Sequence, residues 1–294
     1  MKVVLIFIDG LGIGEASAEY NPCVQSDLEI LSNYRLRNGN MNRTSGVIPL
    51  DATLGIHGLP QSATGQSTLL TGLNTAKLLG YHLQGFPNPF LRDVLKEKSV
   101  PVRLVKSGLK PVFINAYRPE FFTLPVSVQW RLSVTTVVNL AANLPFKTLN
   151  DLENGRALYH DFTNQSLIAK GFRVPQRTPE QAGSILAALS GDADFLIYEY
   201  FLTDRVGHHQ DLRLAKQVIC TLDRFLISYF KQVSPECITI ITSDHGNIED
   251  LSTKTHTRNP VMTLIRGNGG LPGSLHSIQD ITPAVLNLFG INHD

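Results

Sequence analysis

Four apolar stretches of this chain each have an Asp or a His side chain close to one end. Asp9 follows the stretch 3–8, and the pair Asp244 and His245 follows the stretch 238–243. A β-rich run of this length is typical of a buried strand in a parallel sheet. Because open α/β sheets place their ligands beyond the carboxyl ends of the strands, we predict that these three side chains project into a functional site.

The other two stretches add a second group of ligand types. Asp204 and His208 come just after the stretch 195–200, and His256 precedes the stretch 261–265. A spacing of four residues puts Asp204 and His208 on one face of a helical turn. Three converging carboxylates would repel one another, and burying them unpaired is costly, so their convergence calls for cations.

The candidate ligands divide into two metal sites. Asp204, His208 and His256 predict a three-ligand site with an open position, and Asp9, Asp244 and His245 predict a second site with room for one more oxygen. Mixed carboxylate and imidazole ligands suit Mn²⁺ or Zn²⁺, with Mg²⁺ as a further candidate.

Ser62 is the candidate for that further oxygen. It lies where a loop marked by Pro60 enters a segment with helical spacing of apolar residues, so it is expected at or just before a helix N-terminus. Two interpretations stay open on position alone. Serine often caps a helix at this place. The same place offers free N–H groups and positive potential to an anion, and a nearby divalent metal would lower the pKa of the serine hydroxyl and activate it as a nucleophile.

Six sequence pieces, spread over most of the chain, carry a family resemblance. They are Phe7-Ile8-Asp9-Gly10, Ser62-x-x-Gly65, Asp204-x-Val206-Gly207-His208, Ser243-Asp244-His245-Gly246-Asn247, the segment 255–261 around His256, and the helix-like segment 280–290. Together and in this order they resemble the alkaline phosphatase superfamily, and within it the metalloenzyme core of cofactor-independent phosphoglycerate mutase and phosphopentomutase. The resemblance implies that Asp204, His208 and His256 hold one metal, while Asp9, Ser62, Asp244 and His245 hold the other.

The resemblance also implies a reaction. Ser62 would be the nucleophile, with Thr64 and Ser67 as competing hydroxyls, and a phosphoserine would form and be hydrolysed. The mutases carry Asn before the serine and His four residues after it, where this chain has Gln61 and Gln66. They also insert a large second domain between the serine and the Asp204 motif, and this chain has no room for one.

We therefore predict a metal-dependent phosphohydrolase acting on a small phosphate ester. The alternatives are a phosphomutase of the phosphoglycerate or phosphopentose type, a phosphodiesterase, and a catalytically degenerate metal-binding member. A dinucleotide-binding module is a further rival, because Gly10, Gly12 and Gly14 follow the first strand, but Glu15 stands where its motif needs glycine or alanine.

The alternation of strand and helix patterns predicts one α/β domain over residues 1–294, with a doubly wound, mostly parallel sheet and helices on both faces. Helices are expected at 62–79, 88–98, 134–144 and 212–231, and a strand at 111–116. Periodicity weakens over residues 118–177, which predicts a small inserted cap. In or beside that segment, Arg118 and Arg156 are candidate phosphate clamps and His160 is a candidate substrate contact.

The composition of the chain limits the kinds of binding partner that we expect. The chain has 294 residues, 43% of them hydrophobic and 17% charged, and a formal net charge of +1, which gives no basic stripe for nucleic acid. Three widely spaced cysteines and an N-terminal apolar run too short for a signal or a membrane span predict a cytoplasmic protein without a membrane partner. The expected partner is a small molecule, and a homo-oligomer is compatible with this composition.

Overall fold

The computed structural model describes residues 1–35, 46–271 and 273–293, and this part of the chain forms an α/β fold around one six-stranded sheet. The strands are β1 (Lys2–Ile8), β2 (Val47–Leu50), β3 (Pro111–Phe113), β4 (Phe195–Tyr200), β5 (Cys237–Thr242) and β6 (Val261–Arg266). Their spatial order is β2-β6-β5-β1-β4-β3. The four strands from β5 to β3 are parallel, whereas β6 runs antiparallel to both β5 and β2.

Helices cover both faces of this sheet, which confirms the predicted fold class. In the described residues they are α1 (Ser62–Thr71), α2 (Thr75–Leu79), α3 (Pro89–Lys98), α4 (Val100–Lys106), α5 (Pro119–Phe122), α6 (Val126–Gln129), α7 (Val134–Ala141), α8 (Leu149–Glu153), α9 (Gln165–Ala169), α10 (Pro179–Leu189), α11 (Leu202–Gly207), α12 (Leu212–Gln232) and α13 (Ile281–Leu288). A short 3₁₀ helix, Ile278–Asp280, leads into α13.

The central strand β1 shows why both faces are covered. Val4, Ile6 and Ile8 belong to a hydrophobic cluster that includes α10 and α12, and the alternate residues of β1 belong to a second cluster with α1, α4, α7 and α13. Successive side chains of a strand point to opposite faces, so an uninterrupted apolar run requires two covering layers. Burying each such aliphatic side chain stabilises the fold by about 1.5–3 kcal/mol.

Three predicted boundaries were wrong. The helix expected at 62–79 is two helices, because Gly72 adopts a left-handed conformation with φ 72° and ends α1. The strand expected at 111–116 stops at Phe113. The predicted helix 134–144 ends at Ala141. The strand β2 lies in a stretch without a clear hydrophobic pattern, and it forms only four antiparallel pairs with β6.

Residues 118–177, the predicted cap, contain five short helices, α5 to α9. They pack in two different ways. Val134, Val137 and Val138 of α7 lie in the same cluster as β1 and α1. Leu152 of α8 and Leu167 of α9 instead belong to a separate small cluster. The division of the chain into a core and a cap stays a prediction.

Candidate metal centre

All six predicted Asp and His ligands lie at one edge of the sheet. Asp9 directly follows β1, Asp204 lies in α11 after β4, and Asp244 and His245 directly follow β5. Because β6 is antiparallel to β5, the start of β6 reaches the same edge, and His256 in the preceding loop arrives there too. The topology thus brings together residues that are up to 247 positions apart in sequence.

The first group of ligands surrounds the ring of His245. Its Nε2 atom lies 3.3 Å from Asp9 Oδ1, 3.5 Å from Asp244 Oδ2 and 3.0 Å from Ser62 Oγ. The ring of His245 and the carboxyl group of Asp244 are fully buried. Two carboxylates, an imidazole and a hydroxyl therefore converge on one point.

The second group surrounds Asp204. Its Oδ1 atom lies 3.3 Å from His256 Nε2 and 3.4 Å from His208 Nε2. The Nδ1 atoms of these histidines face backbone carbonyls, at 2.8 Å from Pro60 O and 2.7 Å from Lys254 O respectively. A carbonyl oxygen only accepts, so Nδ1 carries the proton in both rings and Nε2 presents its lone pair to the site. This is the tautomer that a metal-binding imidazole needs.

Burial and crowding shift the pKa values of the acidic ligands in opposite directions. Burial, followed by the charge of Asp204, raises the pKa of Asp244 to about 7. Burial and the charges of Asp244 and Asp204 raise the pKa of Asp9 well above its usual value. For Asp204, burial alone would raise the pKa, but the contacts with His256 and Asn247 hold it below its usual range.

These shifts leave the carboxyl groups of Asp9 and Asp244 without a compensating positive charge from His245. Burial and the neighbouring His256 also lower the pKa of His245 to about 3, so this ring stays neutral and does not balance the carboxylates. Asp9 Oδ1 and Asp244 Oδ2 are buried and have no hydrogen-bond partner among the described residues. Buried carboxylate oxygens without partners are costly unless a cation compensates them.

Divalent cations fit this donor set. The ligand atoms of Asp204, His245 and His256 lie within 4.8 Å of one another, and so do those of Asp9, Asp244 and His245. His245 thus lies between the two groups, whereas the ligand types and their spacing in the sequence predict two separate sets.

Ser62 is the first residue of α1 and lies half-buried beside His245. The two competing hydroxyls are placed differently. Thr64 Oγ1 donates to the carbonyl of Gln61, and Ser67 Oγ is buried without a hydrogen-bond partner in the described part of the chain. Gly65 explains the Ser-x-x-Gly spacing, because a Cβ atom there would lie 2.7 Å from the backbone oxygen of Asp244. The geometry favours Ser62 among the three hydroxyls.

Three residues that hold the ligands and their loops in place were not predicted from the sequence. Gln66 Nε2 donates to Asp9 Oδ2 at 3.3 Å, although the sequence marked Gln66 only as a departure from the mutases. Asn247 Nδ2 donates to Asp204 Oδ1 at 2.7 Å. The buried carboxylate of Glu249 accepts from the backbone N–H groups of Gly12 and Asn247 at 2.9 and 2.7 Å, and so ties the loops after β1 and β5 together.

The glycines after β1 have a structural reason. A Cβ atom at Gly12 would lie 2.3 Å from Glu249 Oε1, and one at Gly14 would lie 2.4 Å from the backbone oxygen of Glu249. These glycines allow the loop to pack against the segment that carries Asp244 and His245. The dinucleotide reading of the three glycines therefore gains no support.

Of the three candidate substrate residues, two line a cavity beside the metal centre and one does not. Arg118 and His160 line a cavity of about 460 Å³ next to the metal centre. Arg156 forms an ion pair with Asp151 at 3.2 Å and lines neither this cavity nor the hollow at the metal centre. Arg205, which the sequence reasoning did not single out, lines that hollow together with Asp9 and Ser62. Nothing in the position of Arg205 along the chain, four residues before His209, marks it as a candidate substrate contact.

Comparison with known proteins gives matches of three kinds. The metalloenzyme superfamily model matches residues 159–293. The 2,3-bisphosphoglycerate-independent phosphoglycerate mutase of Desulforudis audaxviator is 36% identical over 107 residues, which are 33% of this chain and 21% of that protein. The chain thus matches about a fifth of the length of this curated relative.

Two solved structures share the fold over nearly their whole length. The PH0037 protein from Pyrococcus horikoshii has a TM-score of 0.56 and 17% identity, covering 98% of this chain and 96% of that one. The alkaline phosphatase from the Antarctic bacterium TAB5 has a TM-score of 0.53 and 12% identity, covering 98% of both chains.

The fold and the ligand set are those of an α/β protein with a candidate metal centre. The family-model match and the sequence relatives make this chain similar to metalloenzymes of the phosphoglycerate mutase kind, and the solved structures share its alkaline phosphatase-like fold. The matched residues 159–293 include five of the predicted ligands, while Asp9 and Ser62 lie outside them. Among the helices of the described residues, none combines the length and apolarity needed to cross a membrane.

Proposed function

We propose that this chain is a metal-dependent phosphohydrolase that cleaves a small phosphate ester through a phosphoserine at Ser62. The observation that carries the proposal is the position of Ser62 Oγ, 3.0 Å from His245 Nε2 and at the N-terminus of α1. A hydroxyl in this position lies beside the acidic ligands Asp9 and Asp244 and within reach of the positive end of a helix.

The protein groups have separate tasks in this reaction. Ser62 loses its proton, its oxygen bonds to phosphorus, and the alcohol leaves with the electron pair and takes up a proton. Water then cleaves the phosphoserine, which restores the hydroxyl of Ser62 and releases inorganic phosphate. The N-terminus of α1 and the guanidinium of Arg205 supply positive potential to the phosphoryl oxygens.

Two divalent cations, Mn²⁺ or Zn²⁺ with Mg²⁺ as a further candidate, are proposed at the two ligand groups. When bound, they lower the pKa of hydroxyl groups and neutralise the charge of the phosphoryl group. Asp204, His208 and His256 would hold one, and Asp9, Ser62, Asp244 and His245 the other. The backbone carbonyls of Pro60 and Lys254 keep two of these rings in the ligating tautomer.

Hydrolysis is favoured over isomerisation by two features. A mutase must keep its dephosphorylated product bound and exclude water while the product reorients, which requires a closing domain. The interval from Ser62 to Asp204 carries only short helices besides core elements. Gln66, which replaces the histidine of the mutase motif, donates a hydrogen bond to Asp9.

We also propose a cytoplasmic location, which the three free cysteines support.

The test compares two serine substitutions in α1. In Ser62→Ala we expect phosphate release from a chromogenic ester to fall by at least about a thousandfold, because the nucleophile is lost. Ser67→Ala is the matched control, since Ser67 lies in the same helix and its hydroxyl has no hydrogen-bond partner in the described residues. Both variants should keep the circular dichroism spectrum and most of the bound metal.

The products decide between hydrolase and mutase. Wild-type protein incubated with 3-phosphoglycerate, ribose 1-phosphate and the chromogenic ester should release inorganic phosphate. Isomerised glycerate or pentose phosphate without phosphate release would overturn the proposal. Retained phosphate release in Ser62→Ala, with loss instead in Ser67→Ala, would show that Ser62 is not the nucleophile.

A further inference from the structure

The cavity beside the metal centre has six aromatic rings among its fifteen lining residues. It has a volume of about 460 Å³, within the range of about 300–1,000 Å³ that is usual for small-molecule sites. The rings that line it are those of Phe113, Tyr117, Phe121, Tyr159, His160 and Phe201. Such walls bind a flat apolar group through burial and through stacking contacts.

This cavity shares a wall with the metal centre. Ser133, Glu199 and Phe201 line it, and the same three residues line the hollow of about 220 Å³ that contains Asp9 and Ser62. The arrangement follows from the strand order, since the cavity lies beyond β3 and β4 while the ligands follow β1, β4 and β5. A phosphate ester attacked by Ser62 therefore has this cavity beside its alcohol portion.

His160 behaves as an aromatic wall and not as a cation. Its ring stacks on that of Phe201, with 4.1 Å between the centroids and 20° between the planes. Burial, with a contribution from Arg205, lowers the pKa of His160 to about 3, so the ring is neutral at physiological pH. Its Nδ1 atom is buried and has no hydrogen-bond partner among the described residues.

The charged residues of the cavity argue against an anionic alcohol. Arg118 is its one guanidinium within the described residues, and it is accompanied by the carboxyl groups of Glu120 and Glu199. Glu199 is buried in the shared wall, where its Oε2 accepts a hydrogen bond from Thr135 at 2.8 Å. A carboxylate on the alcohol portion, as in phosphoglycerate, would find only the guanidinium of Arg118 as a basic partner among the described lining residues, with the carboxylate of Glu120 beside it.

We propose that the cavity holds the alcohol portion of the substrate, and that this alcohol is uncharged and carries an aromatic ring. This inference rests on the proposed function, because it assigns the substrate class of the same site. A methyl or glycerol group would leave most of a space of about 460 Å³ unfilled, whereas a ring on a short linker would cover the aromatic walls.

The first experiment compares benzyl phosphate with methyl phosphate. The two alcohols have closely similar acidity, so the ratio of their kcat/KM values reports recognition of the ring and not the quality of the leaving group. We expect the kcat/KM value for benzyl phosphate to exceed that for methyl phosphate by roughly tenfold or more. Apolar pockets discriminate between substrates by factors of about ten to a hundred. Equal values would overturn the inference and leave the phosphohydrolase proposal standing.

A matched pair of variants localises the effect. Leu124→Trp places a bulky side chain at a half-buried position of the cavity wall. Val126→Trp adds the same side chain two residues away, at a position 63% exposed and outside that wall. We expect Leu124→Trp to reduce the preference for benzyl phosphate by about tenfold with little effect on methyl phosphate, and Val126→Trp to change neither. Loss of the preference in both variants would contradict the assignment.

Binding gives a readout that does not need turnover. Titration calorimetry of the Mn²⁺-loaded protein with benzylphosphonate and methylphosphonate should show the same preference, and Leu124→Trp should remove it. If neither ester is hydrolysed but this binding preference is present, the phosphohydrolase proposal fails and the ring-binding cavity is supported. Equal binding of the two phosphonates would overturn the cavity assignment.

Discussion

Asp244, Glu199 and Asp9 share a consequence of burial. Their carboxyl groups hold protons at a pH where the unfolded chain has released them, since burial raises the pKa to about 7 for both Asp244 and Glu199 and well above the usual value for Asp9. A raised folded-state pKa gives stability that is present at low pH and is lost as the pH rises through that value. His245 and His160, with lowered pKa values, have the opposite effect: their contribution to stability is present at high pH and is lost as the pH falls through the unfolded histidine pKa of about 6.5.

We therefore predict that the metal-free protein loses stability between pH 6.5 and pH 8. At the lower end of this window His245 and His160 bind protons only in the unfolded chain and so offset part of the loss, whereas His256, with its raised pKa, loses stability in the same direction as the carboxyls. The expected loss is on the order of 1–2 kcal/mol for Asp244 and Glu199 together, measured by chemical unfolding of protein treated with a chelator.

Metal should reverse this trend, because cations bind the ionised carboxylates and bind them better at higher pH. Asp244→Asn is the control for the metal-free protein, since it removes one titrating group and should flatten the pH dependence. A metal-free chain that is equally stable at pH 6.5 and pH 8 would show that these carboxyls are already ionised in the folded state.

The residues of the site differ in whether the sequence alone could predict them. Asp9, Asp244 and His245 were predictable because each directly follows a continuous apolar run, and position after a strand is a local property of the chain. Glu249 and Gln66 were not, because their roles depend on which distant loop the fold brings against them. Glu249 accepts from a backbone N–H at Gly12, 237 positions away. Spacing along the chain carries no trace of such a contact.

At the scale of elements, the distance between α1 and the loop after β5 decides the geometry of the centre. Gly65 lets the α1 backbone approach Asp244 directly, and a Cβ atom there would meet both the backbone oxygen and the Cβ atom of Asp244, at 2.7 and 3.0 Å. The backbone oxygen has no rotamer through which it can move aside, so a larger residue must displace one of the two elements.

We predict that Gly65→Ala shifts α1 away from Asp244 and weakens metal binding. Overpacking of this kind costs about 1–3 kcal/mol of stability, and the displaced Ser62 should lower affinity for Mn²⁺ in a calorimetric titration. Gly191→Ala is the control, because the nearest atom to its added Cβ is 3.8 Å away and its φ is not positive. Unchanged metal affinity in Gly65→Ala would mean that the two elements do not set the geometry of the centre.

Elements were predictable to the extent that they carry long patterns. The helix α12 repeats its apolar residues over 21 positions, and its predicted bounds of 212–231 agree with the observed Leu212–Gln232. The strand β2 has only four residues and pairs at the edge of the sheet, so its pattern is too short to stand out. The break at Gly72 was missed because one left-handed residue does not interrupt the apolar spacing on either side.

The described part of the molecule has two large hydrophobic clusters and one small one. The large clusters cover the two faces of the sheet, whereas the small one consists of Ala116, Leu152, Ala157, Tyr159 and Leu167 and a few half-buried neighbours. Regions with little buried apolar surface open locally at a lower free energy than the whole protein. The predicted cap should therefore not behave as one unit, because α7 belongs to a large cluster while α8 and α9 belong to the small one.

We predict three levels of amide hydrogen exchange that follow these clusters. Amides of β1 and β5 should exchange slowest, since both strands lie inside the sheet and their side chains are buried on both faces. Amides of α7 should approach that protection, whereas those of α8 and α9 should exchange much faster, through local opening. Mass spectrometry of peptides from 134–141 and 149–169 makes the comparison, with a β1 peptide as the reference for global unfolding. Because Tyr159 and His160 line the ring-binding cavity, benzylphosphonate should slow exchange in the 149–169 peptide and leave the β1 peptide unchanged. Equal protection of α7, α8 and α9 would show instead that residues 118–177 open together as a single cap.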